Sequence, residues 1–323
     1  MVFVIDDTLF DGRSTNVDLL AFFRSAALRR HTVVLCASPP ALAKSPSIDT
    51  PTFARWLAAL PDRLHVEARL LRERSARISA STLAVGANRI VVSDEPRQGT
   101  EGCWLTLDEA VRAASEPLHL IVENQINDAA FLRRLLPPSW RQKFEDWERQ
   151  GQLRYQNGGG LPVMSTLVEF FTDDAKARQY FGLPAEVWKL VHFLLYDHDG
   201  DSETSPGEHS SKLEQCCTRN GMGRHQHRLE RRDAEHYLPE QALKSIAHHR
   251  LHDKPADRER LLKEVDAHLA DQNRHFAPLP RIGGGPFFKN EFNRDLAWSD
   301  EWFARDGAWP EMTRLAERLA SAI

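Results

Sequence analysis

Short apolar runs of strand length alternate with stretches of helical period through much of this chain, and that alternation narrows the available folds more than any other feature. Strand, helix, strand in sequence builds parallel sheets with helices on their faces. In the first part, Met1 to Ile5, Thr32 to Cys36 and Arg89 to Ser93 read as strands. Val17, Leu19, Leu20, Phe22, Phe23, Ala26 and Leu28 recur at helical spacing between the first two. The prolines Pro39, Pro40, Pro46 and Pro51 mark a loop that opens a helix over Phe53 to Leu60. From Leu118 the signals strengthen. Leu118 to Val122 is a strand, Ile126 to Leu136 a helix stopped by Pro137 and Pro138, Gln152 to Gln156 a further strand and Met164 to Phe171 a helix. Val187 to Tyr196, the most apolar segment, reads as a buried parallel strand that runs straight into Asp197-His198-Asp199-Gly200-Asp201. Glu208 to Thr218 reads as a helix and His225 to Arg231 as a strand. After Pro239 the chain is helix-rich, breaks at Ile282-Gly283-Gly284-Gly285-Pro286 and ends in an amphipathic helix from Glu311 to Ile323. The expected organisation is a small α/β domain over 1–115, a second α/β domain over 116–250 and a helical C-terminal extension over 251–323.

The 323 residues hold ample apolar material for such cores, and no run reaches the ~20 apolar residues that span a bilayer. Asp6 and Asp7 stand where a signal peptide would be basic, and Cys36, Cys103, Cys216 and Cys217 are too few for a disulfide framework, so a cytoplasmic location without membrane association is expected. The formal charge of −4 runs against a nucleic-acid partner, whose binders usually carry a basic excess.

Parallel strands bring their carboxyl ends together, so Glu123 at the end of one and Asp197 and Asp199 at the end of another are expected to converge although 73 residues separate the first two. Hard divalent cations take oxygen ligands, and Mg²⁺ is usually held by a few carboxylates and waters while a substrate phosphate completes its shell.

Ile121-Val122-Glu123-Asn124, a helix with Asp128, Phe131 and Leu132, and Leu194-Leu195-Tyr196-Asp197-His198-Asp199 together resemble the TOPRIM fold of topoisomerases, primases and OLD-type nucleases. Arg231-Arg232-Asp233-Ala234-Glu235-His236-Tyr237-Leu238 is similar to the Arg-Arg-x-x-Glu-Asn-Tyr-Leu pattern of OLD-like proteins of bacterial defence systems. The resemblance covers Leu118 to Ile246 and departs at Asn124, where the family has Gly, and at Asp128, one position late. It implies a Rossmann-like, mostly parallel TOPRIM domain. It further implies Glu123 as acid/base or metal-linked residue, Asp197 and Asp199 as metal ligands, Glu235 as ligand of a second metal, and Asp201 beside them. Lys289 resembles the late lysine of OLD-like nucleases and is a second catalytic candidate, while Arg231 and Arg232 are candidates for binding substrate phosphate. The implied activity is Mg²⁺- or Mn²⁺-dependent phosphodiester hydrolysis of DNA or RNA in anti-phage or anti-plasmid defence. The chain lacks a P-loop, so an ATPase partner is expected by analogy, and a homo-oligomer is compatible. The competing reading is a regulatory or scaffolding protein whose TOPRIM-like domain binds metal or nucleotide without cleaving.

Three other signals are weaker. Acids at Asp197, Asp199, Asp201, Glu203 and Glu208 match a calcium-loop spacing, but Ser202 stands where the sharp turn needs Gly. Asp6-Asp7-Thr8-Leu9 resembles the first motif of haloacid-dehalogenase phosphatases with Val4 in place of the nucleophile. That leaves Asp6 as a strand-end residue or half of a pair with Asp94. His248 and His252 share one helix face without the cysteines or glutamate of a zinc motif. The tryptophans, Trp298, Trp302 and Trp309 among them, read as packing residues. Setting aside Glu123, Asp197, Asp199, Asp201, Glu203 and Glu235 leaves a basic remainder, so substrate binding is expected to be weak without metal.

Overall fold

The computed structural model describes residues 1–11, 16–29, 31–36, 50–77, 89–94, 103–282, 285–294 and 296–323. These form two compact units, and each holds a four-stranded parallel sheet flanked by helices. The prolines Pro39, Pro40 and Pro46 and the glycines Gly283 and Gly284, read from sequence as a loop and a turn, lie outside the described residues.

The first unit comprises 1–117 and 174–191, with the terminal residue Ile323. Its strands are β1 (Val2–Asp6), β2 (Thr32–Cys36), β3 (Arg89–Val92) and β4 (Cys103–Leu105), in the order β2-β1-β3-β4. Helices α1 (Asn16–Leu28), α2 (Pro51–Ala59), α3 (Asp62–Arg77) and α4 (Leu107–Ser115) complete its N-terminal part. Every residue of β1 is buried, as a central parallel strand requires. The apolar stripe of α1 packs Leu19, Phe22, Phe23 and Ala26 into the same core as Phe3, Ile5 and Phe53. A Thr106–Glu109 capping box starts α4.

The second unit comprises 118–173 and 192–322. It opens with β5 (Leu118–Val122), α5 (Gln125–Leu135), α6 (Pro138–Arg149), β6 (Leu153–Asn157) and α7 (Leu161–Phe171). The chain then contributes α8 (Ala185–Val191) to the first unit, where Leu183, Val187 and Val191 enter the core. It resumes with β7 (His192–Tyr196), α9 (Glu208–Arg219) and β8 (Gln226–Arg228). The apolar run Val187 to Tyr196 is therefore not one strand. Its first half is a buried helix turn and only His192–Tyr196 is extended, because a short run apolar on all sides satisfies either structure and its environment decides. The strand expected over His225 to Arg231 shortens to three residues.

The sheet order is β6-β5-β7-β8, all parallel. From β5 the chain first moves outward to β6 and then crosses to β7 on the other side, which places a topological switch point between the carboxyl ends of β5 and β7. β5 and β7 are the buried central strands, and β6 is half exposed at the edge.

Residues 251–323 belong to this same unit. They carry α11 (Pro255–Ala270), which packs on α10 (Glu240–Arg250), then the two-residue antiparallel pair β9 (Arg281–Ile282) and β10 (Gly285–Pro286), α12 (Asp300–Arg305) and α13 (Trp309–Ala322). Along α13, Met312, Leu315, Ala316 and Leu319 form the buried stripe. Among the described residues no helix is long and apolar enough to cross a membrane.

Candidate functional site

Five segments meet at the switch point of the second sheet. Glu123 follows the last residue of β5. Asn124 then caps α5, accepting N–H bonds from Ile126 and Asn127, while Asp128 reaches back to accept from the Asn124 N–H at 2.9 Å. Asn at this position, where the TOPRIM pattern has Gly, thus has a local purpose.

Asp197 follows β7, and its backbone N–H donates to Glu123 Oε1 at 3.3 Å. Asp199 adopts φ 55°, a left-handed conformation rare outside Gly and Asn. That backbone is fixed from both sides: the Asp199 N–H donates to the Arg232 carbonyl at 2.7 Å, and the Gly207 N–H to the His198 carbonyl at 2.9 Å. Gly200 tolerates no side chain, since a Cβ would lie 2.0 Å from the Ser205 carbonyl oxygen. The segment before this loop is a strand rather than a helix, which with Ser202 removes the calcium-loop reading.

Beyond β8, Asp233 caps a 3₁₀ turn over Ala234–Tyr237 and pairs with His236 Nδ1 at 2.6 Å. Glu235 stands on that turn and accepts the Asn290 N–H at 3.1 Å. The neighbouring Lys289 is exposed and close enough to Glu123 to draw its carboxyl pKa down.

A pocket of about 10 Å³, roughly the room of one water, is lined by Glu123, Asp128 and Asp197 together with Phe131, Leu195 and Leu229. Apolar walls and crowded carboxylates penalise negative charge. Burial, with Asp199 and Asp128 nearby, pushes Glu123 up to about 7. Burial takes Asp128 to about 6. Burial and Asp233 take Glu235 to about 7. Asp197 is raised well above the usual carboxylate range, by burial first and then by Glu123, Asp233, Asp128 and Glu235. Asp199 is raised by burial and Asp233. Asp233 is the exception: burial raises it, but the His236 bonds outweigh that and hold it low. The centre is deficient in positive charge, and either protons or a cation can supply it.

Of the residues marked in sequence, Glu123, Asp197, Asp199, Glu235 and Lys289 are brought together. Asp201 is not: its side chain is 91% exposed and pairs with Arg232 Nη1 at 2.8 Å. Arg232 spends the same nitrogen on the Phe276 carbonyl. Arg231 is buried, ion-paired with Asp306, bonded to the carbonyls of His236 and Asp306, and 4.7 Å from the Tyr237 ring centroid. These contacts occupy both terminal nitrogens and tie the 3₁₀ turn to Asp306. Asp128, Asp233 and Asn290 were missed as site residues. Asp128 and Asp233 were already inside the quoted motifs, whereas nothing local marks Asn290.

The other sequence signals resolve into structure. Asp6 is buried, caps the 3₁₀ turn that follows β1 and accepts from Ser93 Oγ at 3.2 Å, while Asp94 is exposed. His248, His249 and His252 are exposed at the end of α10 and beyond. Cys103, Cys216 and Cys217 are buried free thiols. Trp298 packs between Phe292 and Phe303.

The donor set is made of carboxylate oxygens, the chemistry that suits Mg²⁺ or Mn²⁺. Even so, among the described residues no three His, Cys, Asp or Glu side chains stand as a ready set of ligands. Glu123, Asp128 and Glu235 each accept a backbone N–H, and Asp233 faces His236. Comparison of the chain with protein-family models, with curated proteins and with solved structures finds no match. Fold and site define an α/β protein whose second parallel sheet carries a carboxylate centre at its switch point.

Proposed function

We propose that this chain is a metal-dependent phosphodiester hydrolase of the TOPRIM type, acting on DNA or RNA. The gathering of Glu123, Asp197, Asp199 and Glu235 at one switch point, with Lys289 within electrostatic range of Glu123, carries the reading. Asp197, Asp199 and Glu235 would hold the cation, with Glu123 beside them. Bound there, Mg²⁺ or Mn²⁺ supplies Lewis-acid charge and an activated water. Glu123, which burial raises to about 7 in the metal-free protein, is the candidate general base. Lys289 offers a cation to the phosphoryl oxygens, and the Asn290 N–H orients Glu235. A setting in bacterial defence, and an ATPase partner, rest on the sequence resemblance alone.

The test is incubation with supercoiled plasmid, linear DNA and RNA in Mg²⁺ or Mn²⁺, beside Glu123→Ala and Asp197→Ala. Cleavage lost in both variants is expected, and equal cleavage would sink the assignment. The competing reading is a module that binds metal or nucleotide without hydrolysis. It predicts metal-dependent stabilisation with no cleavage of any substrate.

A further inference from the structure

Beside the acidic centre, Arg133 and Arg134 at the end of α5 and Arg294 on the facing segment line a cavity of about 310 Å³ with Ala130, Phe292 and Asn293. Helix α5 runs past both: Asp128 and Phe131 line the pocket of the acidic centre, and Ala130, Arg133 and Arg134 line the cavity. Between them the facing segment is packed onto the helix, since Asn127 exchanges side-chain amide bonds with Asn290 and Asn293 and the rings of Phe131 and Phe292 meet edge to face at 5.3 Å. The cavity is therefore a separate basic depression farther along the same helix. Asn127 to Arg134 is a rise of roughly 10 Å along the helix, about three nucleotides of one B-form strand at ~3.4 Å each.

The charge at the far end is positive. Arg133 pairs with Glu148 at 2.5 Å, and Arg294 and Arg250 share the single buried carboxylate of Glu291 at 2.7 and 2.8 Å. Arg134 donates to the Arg294 carbonyl at 3.3 Å and lies 5.6 Å from the Trp298 ring, two partners without charge. Three guanidinium groups thus line the cavity and, among the described residues, no carboxylate does, in a planar geometry suited to phosphate oxygens.

We infer that this arginine-lined cavity holds phosphates of a nucleic-acid strand that passes along α5 to the acidic centre, bound by Arg134 and Arg294. The inference rests on the hydrolase reading of that centre. The basic track is local, so the chain's overall acidity does not oppose it.

The test is fluorescence anisotropy with labelled oligothymidylate and oligouridylate across a salt series, paired with cleavage kinetics. In the double variant Arg134→Ala with Arg294→Ala, Kd and KM should rise about tenfold. The slope of log Kd against log salt should fall by about 0.7 per arginine. Arg134→Lys with Arg294→Lys should restore the slope, a result that a purely structural role would not give. Should the alanine pair melt early, Arg134→Gln carries the same comparison. An unchanged Kd and slope, or equally tight binding of polyglutamate, would overturn the inference. Two outcomes separate it from the hydrolase reading. Arginine-dependent binding without any cleavage removes the hydrolase and leaves the arginine cavity as a phosphate site. Cleavage with unchanged KM in the double variant removes that site and leaves the hydrolase.

Discussion

Glu123 and Asp199 show how much of the centre's behaviour is set by single residues. A carboxyl whose folded pKa lies above its unfolded value binds protons more tightly when folded. The stability it contributes is complete below its ordinary 4.5 and is lost as pH rises through about 7. Without divalent metal, thermal stability should therefore fall across that window. Glu123→Gln should flatten part of the slope, at about 1.4 kcal/mol per pKa unit, as read by calorimetry at several pH values. An unchanged slope would show that Glu123 is not held in a charge-penalising site. Asp199 separates charge from backbone. Asp199→Asn keeps a side chain that tolerates the left-handed conformation, so it should melt near the parent while losing divalent-ion binding. Asp199→Ala should lose the same binding and a further ~1 kcal/mol, measured by urea unfolding.

At the scale of elements, the C-terminal helix α13 governs the turn that carries Asp233 and Glu235. Glu311 is buried and accepts from Tyr237 Oη, from the Glu230 N–H at 2.9 Å and from His227 Nε2 at 2.9 Å. Tyr237 Oη in turn accepts the backbone N–H groups of Glu230 and Arg231 at 3.0 and 3.1 Å. Tyr237→Phe should cost about 1–3 kcal/mol by leaving the Arg231 N–H without its partner. Glu311→Ala should cost more, about 3 kcal/mol, by leaving Tyr237 Oη and the Glu230 N–H without their acceptor, and equilibrium denaturation ranks the two. The elements themselves were largely legible in the sequence. β2 and β5 fall on the residues expected, and α5, α9 and α13 lie within two residues of expectation. Helix α6 was not read from the sequence at all, because Pro138, taken as the stop of α5, is the first residue of α6, where proline is well tolerated. Val187 to Tyr196 was misread because its helical half is buried in a different core from its strand half.

For the whole molecule, the two units carry the same strand order, β2-β1-β3-β4 and β6-β5-β7-β8, and each ends its first strand next to an acid, Asp6 and Glu123. The environments differ. Asp6 is spent on Thr8 and Ser93, whereas Glu123 sits among further carboxylates. Divalent cation should therefore act on the second sheet. Saturating Mg²⁺ should raise the melting temperature at pH near 8 by an amount equivalent to about 2.7 kcal/mol at a hundredfold excess over Kd. It should do far less near pH 5, where protons occupy the same carboxylates. Differential scanning fluorimetry with and without chelator reads this, and equal shifts at both pH values would contradict it.

The sequence by itself determined the strand–helix alternation, the acids at two strand ends and the motif around Glu235, because periodicity and composition are local properties. Only the tertiary structure decided which acids meet. Asp201 alternates with Asp197 and Asp199 in sequence, yet the left-handed turn at Asp199 sends it to solvent and to Arg232. Arg231 and Arg232 look equivalent in the motif, but one is buried against Asp306 and the other is tied to Asp201 and a carbonyl. Asn290 reaches Glu235 from about 170 residues beyond β5, across a contact that no local pattern encodes.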